Sequence, residues 1–548
     1  MNLIHDPWLP IRRRDGTCER ITPWQITDQH DSNPIITLNL PRADFNGSLT
    51  QFLIGLLQST TNIERRKEWR RLLANPPTPD ELRTQFAPTA GAFELGGEGP
   101  RFMQDFDQAL PGEANDINAL LIEAPGGNTL KNNIDLFIKR GRVKGMCPPC
   151  AAAALYTLQT NAPSGGVGHR TSLRGGGPLT TLVMFDPKAA KDQLEATLWR
   201  NVWMNVLYRP NFLNLSGNSA KTDLADIFPW LGPTRTSEAK TGQTTPEDAH
   251  PAQMFWGMPR RIRLNCEPTY TGNCDICGDY SKVLITRYIA KNYGINYTGP
   301  WKHPLSPHTR DKQGNPLPRH AQPGGVGYRH WLGLVLGDGK NREEAKVVSV
   351  FLDRRLPDAQ FIVWAFGYDM DNMKARAWYE SKMPLYQLED ANHHREDFAI
   401  TVQCCISGAN ETRGYLVSAL KQAWFERPAD VKGDMSFLDI AFWQNTEATF
   451  YDILHDLVEA LSNGEDAMMA MNMAKENWYK VLYQQVVALF DLWAASSAFE
   501  CEDPRRVAQA YNGLKRNMSS KLRRVLDLPK KPAVSKPQGE HRDATASV

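Results

Sequence analysis

Residues 434–462 read DMSFLDIAFWQNTEATFYDILHDLVEALS. Phe437, Ile440, Ala441, Ala448, Tyr451, Leu454, Leu457, Val458 and Leu461 make an apolar stripe at helical spacing, with Asp and Glu opposite. The same periodicity runs through 412–426, 465–499 and 503–527, and Gly464 and Pro504 punctuate two of the joints. Four amphipathic helices with short joints predict a C-terminal four-helix bundle over 408–528. The tail 529–548, rich in Pro, Lys and Ser, is expected to be disordered.

Upstream of 408 the character differs. Pro7–Ile11, Arg14-Asp15-Gly16 and Ile35–Leu40 alternate apolar runs with turns, which predicts short strands joined by hairpins. Residues 44–75 predict a helix, with Leu49, Phe52, Leu53, Leu56 and Leu57 on one face. From 80 to 400 the chain is rich in Gly and Pro and mixes short strands with short helices. Such numerous loops suit a binding surface. The fold class is therefore α+β: a large, mixed, loop-rich domain over 1–407, followed by the bundle. At 548 residues the chain exceeds the ~250–300 at which one core stops growing. With 41% apolar and 23% charged residues it can bury real cores. No run approaches the ~18 apolar residues of a membrane span, and Met1–Asp6 lacks the basic and apolar regions of a secretory signal. A soluble cytoplasmic protein is expected.

Four of the nine cysteines fall in two CxxC units, Cys147-Pro-Pro-Cys150 and Cys274-Asp-Ile-Cys277. Two intervening residues let both thiolates of a unit reach one ion, so the four predict a tetrahedral zinc site. A closed four-thiolate site has no position for water, which argues for structure rather than catalysis. A redox CxxC and unconnected buried cysteines are the other readings, though neither unit has a thioredoxin-like βαβ context. The long gap between the units means that any shared ion staples distant segments.

Net charge is only 63 − 61 = +2, so distribution matters more than the total. Between Asp135 and Asp186 lie fifty residues without an acid, where 61 acids in 548 residues would give five or six. That window holds Lys139, Arg140, Arg142, Lys144, Arg170 and Arg174. A second window, 281–336, holds eight bases against Asp311 alone, with Tyr288, Tyr293, Tyr297, Trp301, Tyr328 and Trp331 interleaved. A shared metal would set the two windows side by side, giving the electrostatic footprint of a phosphate backbone. The segment 164–177 is glycine-rich but is neither a Walker loop nor a dinucleotide fingerprint. It reads either as backbone free to approach a partner closely or as a flexible surface loop. No GxSxG elbow, HExxH helix or clustered carboxylate pair gives catalysis a footing.

Six stretches, in this order, resemble one family. They are Asn2–Ile11, Pro100–Gln104, Cys147–Leu155, Asn161–Pro163 running through Leu173–Gly176, Cys274–Gly278 and Trp301–Pro307. The family is the CasA/Cse large subunit of the type I-E CRISPR Cascade surveillance complex. The resemblance implies a non-enzymatic DNA- and RNA-binding subunit in antiviral defence. It would contact the 5′ end of the crRNA and recognise the protospacer-adjacent motif (PAM) of target double-stranded DNA from the minor groove. It would then start strand separation and offer a docking surface to the helicase-nuclease. Its other implied partners are the small subunits, the backbone subunits and the 5′-handle-binding subunit; no membrane is involved. The family's glycine loop falls on Ser164, Gly165, Gly166, Val167 and Gly168, with Val167 interrupting the glycines. Its lysine finger falls on Asn292, or on Lys291 with a slip of one. Its strand-separating wedge falls on Asp371 and Asn372, with Met373 as an apolar wedge beside them. Its RNA contact falls near Phe137. The rival class is a zinc-dependent nucleic-acid-processing enzyme, which would need an open metal position that these cysteines do not offer.

Overall fold

The computed structural model describes all residues except 125–130, 133–140, 189–194, 218–220, 240–241, 266, 268–269, 322–323, 338–340, 355, 357–358, 372–373, 388–393, 495–502 and 530–548. The tail predicted to be disordered lies almost wholly outside the described residues. The chain divides into two compact units, Met1–Gln387 and Leu388–Val548. No described helix is long and apolar enough to cross a membrane.

The first unit is mixed α/β with small sheets. Strands Leu9–Arg13, Cys18–Ile21 and Ile35–Leu38 form the predicted antiparallel set, with the first in the middle. The helix predicted over 44–75 is two helices, Ala43–Thr60 and Arg66–Ala74. Thr61 is extended (φ −97°, ψ 135°), which turns Ile63 inward, where it is buried and its carbonyl accepts from the Arg209 N–H (2.7 Å). Two β-branched threonines favour the break.

Phe52, on the first helix, is the centre of the core. The rings of Trp8, Phe93, Phe102, Tyr156 and Trp256 lie 5.4–6.0 Å from it, all nearly perpendicular. Edge-to-face packing suits the ring quadrupole. Trp8, Phe102 and Tyr156 thereby tie the N-terminal sheet, the 100–104 stretch and the helix Pro148–Asn161 to one point. Several motifs that resemble the family are thus core positions.

A long hairpin, Phe361–Asp371 with Lys374–Leu385, adds Thr180–Phe185 on its other side. The central strand is buried from Phe361 to Asp369 because both neighbours and the helices cover it.

In the second unit, helices His394–Trp424, Ser436–Ser462, Ala467–Ala494 and Pro504–Asn517 pack in pairs. The first starts well before 412. Gly408 lies inside it, where an added Cβ would sit 2.7 Å from Leu526, so a small residue is needed for close packing. The stripe of the second helix holds at Leu454, Leu457 and Leu461, which are buried, but its first half is rotated from the predicted one. There Leu438, Phe442 and Phe450 are buried, while Phe437 and Ile440 are exposed.

Candidate nucleic-acid interface and its cysteine staple

The first cysteine pair arrives at a helix start. Cys147 is the N-cap of Pro148–Asn161, and two prolines fill the first helical positions, where a missing N–H costs nothing. The second pair sits on the turn between strands Tyr270–Asn273 and Tyr280–Leu284. Gly278 closes that turn at φ +80°, its N–H donating to the Cys274 carbonyl (2.8 Å). The Asp275 carboxylate accepts from the N–H groups of Lys144 (2.6 Å) and Gly145 (2.9 Å), locking one knuckle on the other.

All four Sγ atoms lie within 4.8 Å of one another, and Cys147 and Cys277 are 3.8 Å apart. A tetrahedral ion held at about 2.3 Å needs sulfurs about 3.8 Å apart, so the set fits one metal ion. Cys147, Cys150 and Cys274 are buried. Hydrogen bonds from Cys147 and Cys150 push the Cys274 thiol far below its usual range, and the bond to Cys147 pushes Cys150 far above. Arg20, from the first sheet, approaches Cys277 Sγ at 3.5 Å and pairs with Asp279 at 2.6 Å. Its charge offsets thiolate charge, a role that a residue so distant in sequence could not announce.

The staple sets the two basic windows edge to edge. Met146 and Ile285 exchange backbone hydrogen bonds (2.8 and 3.0 Å). The glycine loop follows the cysteine helix and rests on the end of strand Arg287–Lys291. The Tyr293 N–H donates to the Gly168 carbonyl (2.8 Å), and an added Cβ on Gly168 would lie 2.9 Å from Asn292 Cβ. Ser164–Gly168 and Lys291–Asn292 are thus brought together. The half-buried Arg260 guanidinium donates to the Pro163 carbonyl, while Arg170 holds Ser237 (2.8 Å), so the loop is pinned at both ends. Burial lowers the Arg260 pKa to about 10. At the tip Gly166 has φ +60°, where an added Cβ would meet only His169, at an ordinary 3.8 Å, and Val167 is 76% exposed.

The same segment then reaches the long hairpin. Gly177 at φ +61° lets the chain pass where a Cβ would meet Tyr368 O and Met370 Cγ at 2.8 Å. Asp371 pairs in register with Lys374. Arg376 grips the buried Asp369 bidentately (2.8 and 3.0 Å) and reaches the exposed Asp371 at 3.5 Å. Asn372 and Met373 lie outside the described residues, as do Phe137, Lys139 and Arg140.

The basic surface is smaller than the sequence suggests. Arg174 is buried, donating to Gln51 (2.7 Å), Thr180 (2.9 Å) and Ser306 (3.2 Å). Lys302 and Arg310 both pair with Glu343, an acid beyond the counted window. Tyr288, Trp301, Tyr328 and Trp331 are core residues rather than stacking platforms. Arg142, Lys144, Lys282, Lys291 and Lys312 remain without an ion-pair partner among the described residues.

Residues 2–489 match the family of CRISPR-associated protein Cse1. The chain belongs to that family. Members of the Cse1 family are non-catalytic subunits, and this large subunit is accordingly not an enzyme. Cse1 from Thermobifida fusca superposes with a TM-score of 0.70 at 16% identity, over 96% of this chain and 98% of that one. CasA (Cse1) from Thermus thermophilus gives 0.64 at 15%, over 94% and 99%. A chain of a CRISPR RNA-guided surveillance complex gives 0.62 at 15%, over 94% and 99%. At such identities the shared property is the Cse1 fold.

Proposed function

We propose that this chain is the PAM-reading subunit of a cytoplasmic type I-E surveillance complex. In this reading Ser164–Gly168 lies in the minor groove of target duplex DNA, with Lys291 or Asn292 beside it. The observation that carries the reading is the pinned loop, whose Gly168 rests on Asn292 and Tyr293, just past Lys291, and whose Val167 is exposed. A groove about 6 Å wide admits backbone and small side chains, and its degenerate pattern makes recognition tolerant. Base pairing to the crRNA reads the long sequence while protein reads the short motif. Zinc in the cysteine cluster holds the two halves of this surface together. The C-terminal helices act as a four-helix bundle, and the assembled face receives the helicase-nuclease. Phe137 meets the crRNA 5′ end.

The decisive experiment measures binding of the reconstituted complex to a library of motif duplexes, against the free chain. Motif selectivity confined to the complex supports the reading; equal selectivity of the free chain defeats it. Two variants refine it. Lys291→Ala is expected to weaken duplex binding several-fold across all motifs and to flatten the salt slope by about one unit. Asn292→Ala should instead change motif preference, and titrations at two or more salt concentrations separate the two. Asp371→Ala should spare motif binding on intact duplex yet slow opening, an effect that a pre-opened bubble removes. Equal impairment on bubble and duplex would reject the wedge role.

A further inference from the structure

The basic last helix has no part in that reading. Pro504–Asn517 runs through the wider π turn Met518–Leu522 into Arg523–Val525, and π turns often mark functional sites. Ala510, Leu514, Met518 and Leu522 form its buried side. A groove of about 350 Å³ lies between this helix and His394–Trp424. Its floor is shaped by Ala419, Ala510 and Gly513, which leave room, and its walls carry Tyr415, Gln422, Asn517, Arg516 and Lys521. That volume lies at the low end of the ~300–1,000 Å³ that accommodates small ligands, which is about one nucleotide unit.

The wall chemistry is specific. Arg516 and Lys521 have no ion-pair partner among the described residues. Lys521 Nζ stands 5.9 Å from the Tyr415 ring centre, and the Tyr415 hydroxyl is tied to Glu411. Gln422 and Asn517 supply amides, which both donate and accept. Of the acids near this helix, Asp503 caps its start, Asp527 faces Lys475, Glu476 pairs with Arg523, Asp491 faces Lys515, and Glu411 is tied to Tyr415. Lys515, Arg524 and Arg505 continue the positive charge along the helix.

We propose that this groove binds single-stranded nucleic acid, one nucleotide entering the groove while neighbouring phosphates follow the helix. Arg516 and Lys521 take phosphates, Tyr415 offers a ring face, and Gln422 and Asn517 lie where base edges would fall. An unpaired base presents both face and edge, whereas a duplex presents mainly backbone to such a site. The run of cations beyond the groove favours a strand over a free nucleotide. This goes beyond the motif-reading role, because the groove lies in the other compact unit.

The test uses the full chain with fluorescein-labelled dT12, a 12-base-pair duplex and dTMP as competitor. Arg516→Gln with Lys521→Gln, both exposed, is expected to weaken dT12 binding about tenfold and to reduce the salt slope by about 1.4, near 0.7 per phosphate. Duplex binding and thermal melting should stay unchanged. Tyr415→Leu should weaken dT12 several-fold with the slope retained, and 5-iododeoxyuridine in the oligonucleotide should photo-crosslink to Tyr415. Unchanged dT12 affinity in the double variant would overturn the proposal. So would a parallel loss of duplex binding, or equal competition by dTMP at matched nucleotide concentration.

Discussion

Replacing Cys150 with serine is expected to remove stoichiometric metal and to lower the melting temperature of the N-terminal unit by about 10 °C or more. Structural zinc contributes ~10–16 kcal/mol to small metal-folded peptides, against a net stability of ~5–15 kcal/mol for a typical domain. This unit has its own aromatic core around Phe52, so only part of that figure should appear. A loss of about 3–5 kcal/mol corresponds to roughly 10 °C at this size. Cys150 is buried in the first turn of the helix that leads into the glycine loop, so the damage should spread to both. Elemental analysis of fresh protein should find one zinc per wild-type chain and much less in the variant. Calorimetry should show the helical unit melting as before. Metal-free wild type, or a variant that melts like wild type, would remove the cluster from the account.

Changing Gly166 to Asp should cost the assembled complex about a hundredfold or more in affinity for motif-bearing duplex, near 2.8 kcal/mol. Gly166→Ala should cost less. The comparison separates two causes that predict opposite orders. The backbone at Gly166 is left-handed, φ +60°, where Asp is tolerated better than Ala. If strain alone mattered, Ala would be the worse variant. If the tip faces phosphates and groove acceptors, the added carboxylate is repelled and Asp is worse. Gly168→Ala is a different experiment, since its Cβ would press on Asn292 and Tyr293 and displace the loop itself. Equilibrium titration of wild type and both Gly166 variants decides it, and wild-type binding by Gly166→Asp would reject the loop assignment.

How much of this was legible beforehand depends on the range of the interaction. Local spacing announced the two CxxC units, the first sheet and the long C-terminal helices, because those patterns need only a few neighbouring residues. It misjudged what depends on partners far along the chain. The helix from His394 starts well before the predicted 412, and Gly408 inside it lies against Leu526. The first half of the stripe of Ser436–Ser462 turned because neighbouring helices, rather than periodicity alone, choose the buried side.

The sequence by itself announced the four cysteines that come together, a mixed part followed by a helical one, and, through the order of its motifs, the family. Each rests on residue identity at short spacing. Tertiary structure alone decided which charges remain at the surface. Glu343 takes Lys302 and Arg310, Arg174 goes inside, and Arg376 is claimed by Asp369, none of which a charge count can anticipate. It also decided that Gly168 rests on Asn292 and Tyr293 while Gly166 has only His169 at ordinary contact distance. The reason is physical: an ion pair or a backbone contact forms wherever folding brings two groups within a few ångströms, and that proximity is set by the packing of the whole unit.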